Sequence, residues 1–341
     1  SSEKNTRGRA RVVAQALGEL MEDAERILIM GHEREDYDAL GGALGVLTLA
    51  EAKGKEARIA LSHNTASIAK MLKELTTEQK GFILTPEEAN KWVTDTTLVI
   101  VVDVHRSSMV AAPQALAKSK RRVVIDHHRR ASDFIESPLL TYLEPASSSP
   151  SELVTELIQY FELNGPLAKS TATGIYAGIV LDTKNFNIQT GARTFDAAAY
   201  LRRAGADIPL VQALFMDSFD EVQMRAKILF NAEVYDNIAI AVAPEGSSNI
   251  SAIAAQAADM LMATEGIEAS FVLYKLPDKS ISISARSKGK LNVQLIMEAI
   301  GGGGHRTVAG AQISDMDMDD IKVAIRAHAI DQMKSLEEAK Q

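Results

Sequence analysis

Four apolar segments of this 341-residue chain end in carboxylates or imidazoles, groups that can hold a divalent cation. Arg26 to Met30 runs into Gly31, His32, Asp36 and Asp38, and Thr97 to Val102 runs into Asp103. Val123 to Ile125 runs into Asp126, His127 and His128, and Thr171 to Leu181 ends at Asp182. Burying such groups unpaired is costly, so they belong at the ends of elements. Taken alone, each reads as a helix cap or a solvent-facing loop residue; behind four apolar segments they read together as a metal site. Oxygen and nitrogen donors in a chain with no cysteine suit Mn²⁺ or Mg²⁺, or another divalent ion, better than structural zinc. The set exceeds the needs of one ion. Two ions about 3.5–4 Å apart would use it and activate a bridging hydroxide for in-line attack at phosphorus.

Asp38 also suits a helix N-cap, a role compatible with ligation. Neighbouring side chains on a strand point to opposite faces. One of His127 and His128 therefore ligates, and the other meets substrate or a carboxylate behind the ligands. His63 and His328 have no acidic company and read as surface or packing residues. A second signal is the run Gly301 to Gly304 followed by His305. Glycines expose backbone N–H groups and let a phosphate approach closely, although such a run equally suits a flexible connector. Ser284 and Arg286, at a strand end in the same half, add a cation suited to phosphate oxygens. Neither a P-loop nor a dinucleotide fingerprint is present.

The elements that must carry these residues alternate. An amphipathic helix over 8–25 precedes strands at Arg26–Met30, Ala57–Leu61, Thr97–Val102 and from Val123, separated by helical patterns, which predicts βαβ units and a mainly parallel sheet. Capping-box patterns at Thr85–Glu88 and Ser149–Glu152 start helices, and the apolar run Thr171 to Leu181 predicts a buried helix. Residues 192–236 look helical throughout, with 211–235 as a helical linker between a domain at 1–210 and a smaller α/β domain at 236–341. In the latter the pattern predicts strands 238–243, 269–276 and 280–286, helices 250–265 and 292–300, and a closing helix from about Met318.

Composition sets the outer limits. Two domains are the expectation for this length. A net charge of −8 argues against a broad grip on duplex nucleic acid, leaving a small anionic substrate met by metal ions. The absence of cysteine removes disulfides and thiolate chemistry and is compatible with a reducing compartment. No apolar run approaches the ~20 residues of a membrane span, so no membrane contact is expected within this chain. Beginning Ser1-Ser2-Glu3-Lys4, it reads as a fragment.

These residues resemble the DHH phosphoesterase family with its DHH-associated C-terminal domain. The likeness is carried by Gly31, His32, Asp36, Asp38 and Ala39; the Asp103 strand; Asp126-His127-His128; Asp182; and Gly302-Gly303-Gly304-His305 with Val308-Ala309-Gly310. Within the family the chain is most similar to the catalytic module of the membrane-anchored bacterial cyclic di-AMP phosphodiesterases. That narrower match rests on Lys4–Arg7 with Arg9–Val13, Asp103–Met109, Ile283–Ser287 and Asn292–Gln294. Glu33-Arg34-Glu35, Tyr37 and Val308 depart from the family's usual residues and bear on substrate detail.

The resemblance implies one manganese held by His32, Asp36 and Asp103, and a second held by Asp38, Asp103, His127 and Asp182. His128, Arg106, Ser284, Arg286, Gly303, Gly304 and His305 would contact substrate, with Asp103, His127 and His128 central to catalysis. The implied reaction opens one 3′–5′ phosphodiester of cyclic di-AMP to give the linear 5′-phosphorylated di-adenylate. A homodimer, and a cytoplasmic position in a membrane-anchored protein, are implied as well. The alternatives are an oligoribonuclease or 3′-phosphonucleotide phosphatase of the same family, and a non-catalytic cyclic-dinucleotide sensor.

Overall fold

A computed structural model of the chain describes residues 2–341, with side chains from Asn5 onward, so the Lys4 side chain of the Lys4–Arg7 stretch lies outside the described residues. Two compact units divide it, Ser1–Met216 and Asp217–Gln341.

The first unit is built on six parallel strands: β1 (Arg26–Met30), β2 (Glu56–Ala60), β3 (Ile83–Leu84), β4 (Leu98–Val102), β5 (Arg121–Asp126) and β6 (Leu140–Leu143). Their order is β3-β2-β1-β4-β5-β6. The sequence Leu-Val-Ile-Val-Val of β4 is buried at every position, as expected for a parallel strand covered on both faces. Alternate residues serve the two faces. Ile27, Ile29, Ile100, Val102, Val123 and Ile125 join one core; Leu28, Met30, Val99, Val101 and Val124 join the other. Register aligns the strand ends, with Met30 opposite Val101 and Val102 opposite Ile125. The expected α/β fold with a parallel sheet is therefore present, and β6, short and half-buried, is a strand that the hydrophobic pattern does not reveal.

Helices Tyr37–Ala52 and Lys169–Asp182 cross on the first of these faces. Their backbones meet at Gly41 and Gly174, where a Cβ on Gly41 would fall on the Gly174 carbonyl and lie 3.0 Å from Ile175 Cα. Ser149 caps the helix Pro150–Ile158, accepting from the Glu152 N–H. The Glu152 carboxylate turns to the hydroxyls of Ser147, Ser148 and Thr194, so the reciprocal half of the expected capping box is not made there.

The second unit carries β7 (Glu233–Tyr235), β8 (Ile238–Val242), β9 (Ala269–Lys275), β10 (Ile281–Ser287), β11 (Gly303–Gly304) and β12 (Val308–Ile313), in the order β11-β12-β10-β9-β8-β7. Only the β8–β9 pairing is parallel. Apolar clusters cover both faces of this sheet.

The stretch 211–235 is not one helix. Helix Ile208–Leu214 ends, helix Phe219–Phe230 begins, and β7 follows. Ser218 accepts from the Glu221 N–H and Asp207 from the Leu210 N–H. Each capping side chain satisfies an orphan N–H and starts a new helix, which alternating charge along the sequence cannot reveal. The boundary between the units falls in the break at Met216–Asp217. Among the described residues no helix is long and apolar enough to cross a membrane.

Candidate metal centre

Strand order reverses between β1 and β4, and in open α/β sheets the crevice outside the carboxyl ends at such a point is where ligands bind. His32 lies two residues beyond β1, Asp103 directly follows β4, and Asp126 ends β5. Three of the sequence clusters are thus delivered to one edge of one sheet.

The loop after β1 is pinned from both sides. Ala111 N–H donates to Gly31 O at 2.9 Å, and Glu33 N–H donates to Met109 O at 2.7 Å. The buried Glu35 carboxylate accepts from the Ser62 N–H and hydroxyl at 2.5 and 2.6 Å. Asp36, and not Asp38, caps the helix Tyr37–Ala52, accepting from the Ala39 N–H at 2.8 Å. Asp38 then sits inside the first turn, where one oxygen accepts from the Ser151 N–H at 3.0 Å and the other has no hydrogen-bond partner although fully buried. Gly178 leaves room for it: a Cβ there would lie 2.8 Å from Asp38 Cα.

Asp103 adopts φ 68°, a left-handed conformation that Asp and Asn tolerate better than most residues. Its N–H donates to Ile125 O at 3.0 Å, tying the turn to β5. His127 Nδ1 faces the Ser147 carbonyl at 3.4 Å, and because a carbonyl only accepts, the proton belongs on Nδ1. The lone pair of Nε2 then points into the cluster, 3.2 Å from Asp182 Oδ2 and 4.0 Å from Asp103 Oδ1, with no hydrogen bond made.

Asp38, Asp103, His127 and Asp182 offer ligand atoms within 4.8 Å of one another, as do Asp103, Asp126, His127 and His128. The Asp36 carboxyl bears directly on Asp103. His32 is in neither group; its Nδ1 accepts from the Arg34 N–H at 3.0 Å, which puts the neutral ring's proton on Nε2, so ligation by this ring requires that bond or that proton to be given up. Burial, followed by the charges of neighbouring carboxylates, pushes the Asp38 and Asp103 carboxyls well above their ordinary range, and burial with the Asp182 charge raises Asp36. Like charges in a low dielectric are expensive. Two buried atoms without hydrogen bonds, in an all-oxygen-and-nitrogen set, fit a divalent cation.

Asp126 shifts the opposite way. Burial pushes its carboxyl up, but hydrogen bonds from His128 and His105 and the His128 charge outweigh this and hold it low. His128 Nδ1 lies 2.7 Å from Asp126 Oδ1, and this bond raises the imidazole's proton affinity. More than half of the His128 side chain is open to solvent. Sequence reading passed over His105, which is 3% exposed with Nδ1 2.7 Å from Asp126 Oδ2; the contact spans 21 positions and has no local signature. The pairings of the Glu35 and Glu152 carboxylates with buried hydroxyls likewise have no local signature. Arg106 pairs on the surface with Asp133 at 2.9 Å. His63, expected to lack acidic company, lies 2.9 Å from Glu87.

In the second unit, Ser284 and Arg286 share the half-buried face of β10, and Arg286 Nε donates to Asp259 at 2.9 Å. The glycine run is more ordered than a connector. Gly301 and Gly302 N–H groups donate to Glu298 and Met297, His305 N–H donates to Val308 O, and Gly303 and Gly304 pair with β12. Gly304 has φ 145° and, with a Cβ, would meet Ala309 Cα at 2.5 Å, so glycine is required there by the hairpin itself. The His305 side chain is exposed.

Residues 26–179 match the DHH family, N-terminal domain, and residues 236–333 match the DHHA1 domain. The chain is 44% identical over 329 residues to the cyclic-di-AMP phosphodiesterase GdpP of Geobacillus thermodenitrificans, covering 95% of this chain and 50% of that protein. It spans about half the length (49–51%) of the curated cyclic-di-AMP phosphodiesterases it matches. Among solved structures, an exopolyphosphatase-related protein from Bacteroides fragilis superimposes with TM-score 0.73 at 21% identity, covering 95% of this chain and 97% of that one. Exonuclease RecJ bound to manganese gives TM-score 0.52 at 15% identity, with 94% of each chain covered. The chain belongs to the DHH family, a DHH domain followed by a DHHA1 domain.

Proposed function

We propose that this chain is the catalytic portion of a cyclic di-AMP phosphodiesterase, opening one 3′–5′ phosphodiester to give the linear 5′-phosphorylated di-adenylate. The observation that carries the reading is the cluster of Asp38, Asp103, His127 and Asp182, whose buried Asp38 oxygen and His127 Nε2 have no hydrogen-bond partner. The identity to named cyclic-di-AMP phosphodiesterases supports the choice of substrate. In this reading the cluster holds one divalent ion, and His32, Asp36 and Asp103 hold another. Both are manganese, with magnesium able to substitute. Such ions supply positive charge against phosphate oxygens and activate water.

The protein's own groups do the rest. Asp103, shared by the two sets, keeps them together through its left-handed turn. His128, whose affinity for a second proton is raised by its bond to Asp126, donates to a phosphate oxygen when its ring is charged. Arg106, Ser284, Arg286, Gly303, Gly304 and His305 contribute substrate contacts. The glycines do so by allowing close approach, because the Gly301 and Gly302 amides already close the end of the helix Val293–Ala299 and the His305 amide already serves the hairpin. We place the chain on the cytoplasmic side of a longer, membrane-anchored protein, acting as a homodimer.

Incubating the chain with Mn²⁺ and cyclic di-AMP, cyclic di-GMP or linear di-adenylate in parallel tests this, with products read by chromatography. Rapid conversion of cyclic di-AMP to a linear dinucleotide that persists supports the reading. Slow attack on the ring with rapid cleavage of the linear substrate replaces it with the oligoribonuclease alternative. Binding without turnover replaces it with a sensor.

A further inference from the structure

The Asp126 carboxylate is fully buried and has a histidine on each oxygen. Oδ1 faces His128 Nδ1 at 2.7 Å and accepts from the His127 N–H at 2.8 Å; Oδ2 faces His105 Nδ1 at 2.7 Å. The Ala131 N–H donates to His105 Nε2 at 2.9 Å. An amide N–H can only donate, so this nitrogen is the acceptor, and the proton of the neutral ring is fixed on Nδ1, facing Asp126. Three further contacts surround this residue. Its flat face stacks on Phe134 at 5.0 Å with an interplanar angle of 22°. Ile135 N–H donates to the His105 carbonyl at 2.8 Å. Arg130 lies over the other partner of the stack, 4.3 Å from the Phe134 centroid.

We propose that His105 is a positioning residue for His128: by donating to Asp126 Oδ2 it locks the carboxylate plane, so that Oδ1 orients the His128 ring and turns its Nε2 outward. A carboxylate in a closed pocket could otherwise rotate and offer either oxygen to His128. With one oxygen held by a buried, immobile donor, only one orientation satisfies both imidazoles. His105, through its ring to Ala131 and its backbone carbonyl to Ile135, also sets the path of the 129–135 segment that follows His128. His105 touches none of the proposed ligand atoms. This inference rests on the reading of His128 as a substrate contact.

Two substitutions separate the donor from the bulk of the ring. Asparagine places its amide where Nδ1 stands and can still donate to Asp126; glutamine reaches the Nε2 position instead. Both lose the stack on Phe134 equally. His105→Asn is expected to keep cyclic di-AMP turnover within about 3-fold of wild type, and His105→Gln to lose about 10–100-fold, the range seen when groups orienting a site residue are removed. Manganese content by elemental analysis stays at the wild-type value in both. Histidine-ring ¹⁵N–¹H spectra of the metal-free protein give the readout that does not depend on turnover. The hydrogen-bonded His128 Nδ1–H signal persists in wild type and His105→Asn and is lost or broadened in His105→Gln. Equal losses in the two variants, or none in either, overturn the proposal. Wild-type protein that shows the signal but does not hydrolyse cyclic di-AMP overturns the functional reading and leaves the positioning role standing.

Discussion

Asp38→Asn is expected to make the metal-free protein more stable while abolishing its function. Asp38 is fully buried, and its raised carboxyl reflects burial first and then the charges of Asp103, Asp182 and Asp36. Asparagine keeps the acceptor for the Ser151 N–H, which the structure places at 3.0 Å. It replaces the unpartnered oxygen with an amide able to donate to the surrounding carboxylates. A buried polar group without a partner costs about 1–3 kcal/mol. At about 2–4 °C per kcal/mol for a domain of 150–250 residues, this raises Tm by about 2–12 °C. Added Mn²⁺ should reverse the order. Wild type gains about 2.7 kcal/mol at a hundredfold excess over Kd, whereas the variant, lacking a ligand charge, gains little.

The pH dependence follows from the same shift. A carboxyl whose folded-state pKa is raised contributes stability that is present at low pH and lost as pH rises through the folded value. The advantage of Asp38→Asn in chelator is therefore largest at neutral pH and narrows on acidification. Calorimetry of chelator-dialysed protein at several pH values, with and without Mn²⁺, measures all of this. A metal-free variant that melts at or below wild type at neutral pH would refute the claim that the cluster is held together against its own repulsion.

Asp103→Asn tolerates the same left-handed φ of 68°, so it should fold normally, as judged by circular dichroism, and lose more than about 100-fold of turnover, beyond what loss of an orienting partner costs. Chelator-treated protein should recover activity with Mn²⁺ far better than with Ca²⁺, whose larger coordination shell suits the set less; equal recovery would contradict the proposed coordination. Gly41→Ala puts a Cβ onto the Gly174 carbonyl and should destabilise by about 1–3 kcal/mol through overpacking, read as a lower denaturant midpoint. Tyr142 is 1% exposed, and burial with the nearby Glu156 charge pushes its hydroxyl up to about 12. At about 1.36 kcal/mol per unit, the stability gap between wild type and Tyr142→Phe should shift by about 1.9 kcal/mol against wild type from pH 10 to pH 12, because both end points lie at a midpoint of titration. An unchanged gap in alkaline denaturant titrations would mean that the hydroxyl is not as enclosed as described.

Sequence by itself determined the parts whose signals are local. Apolar runs such as Leu98–Val102 can only be strands buried on both faces, so the parallel sheet and the positions of Asp103 and Asp126 at its rim were legible from hydrophobicity alone. Which atoms are able to bind a cation was legible too, because residue type fixes them. Breaks in helices were not. Whether Ser218 and Asp207 act as caps depends on which N–H each side chain reaches, and charge alternation carries no such information. Tertiary structure alone decided which oxygen of Asp38 lacks a partner, that Asp36 rather than Asp38 takes the cap, and that His105 and His128 share one carboxylate. It also decided that the glycine run serves the hairpin against β12. Each of these is a pairing between groups distant in sequence or competing for one atom, settled by the close packing that brings them together and by the cost of leaving any of them unsatisfied.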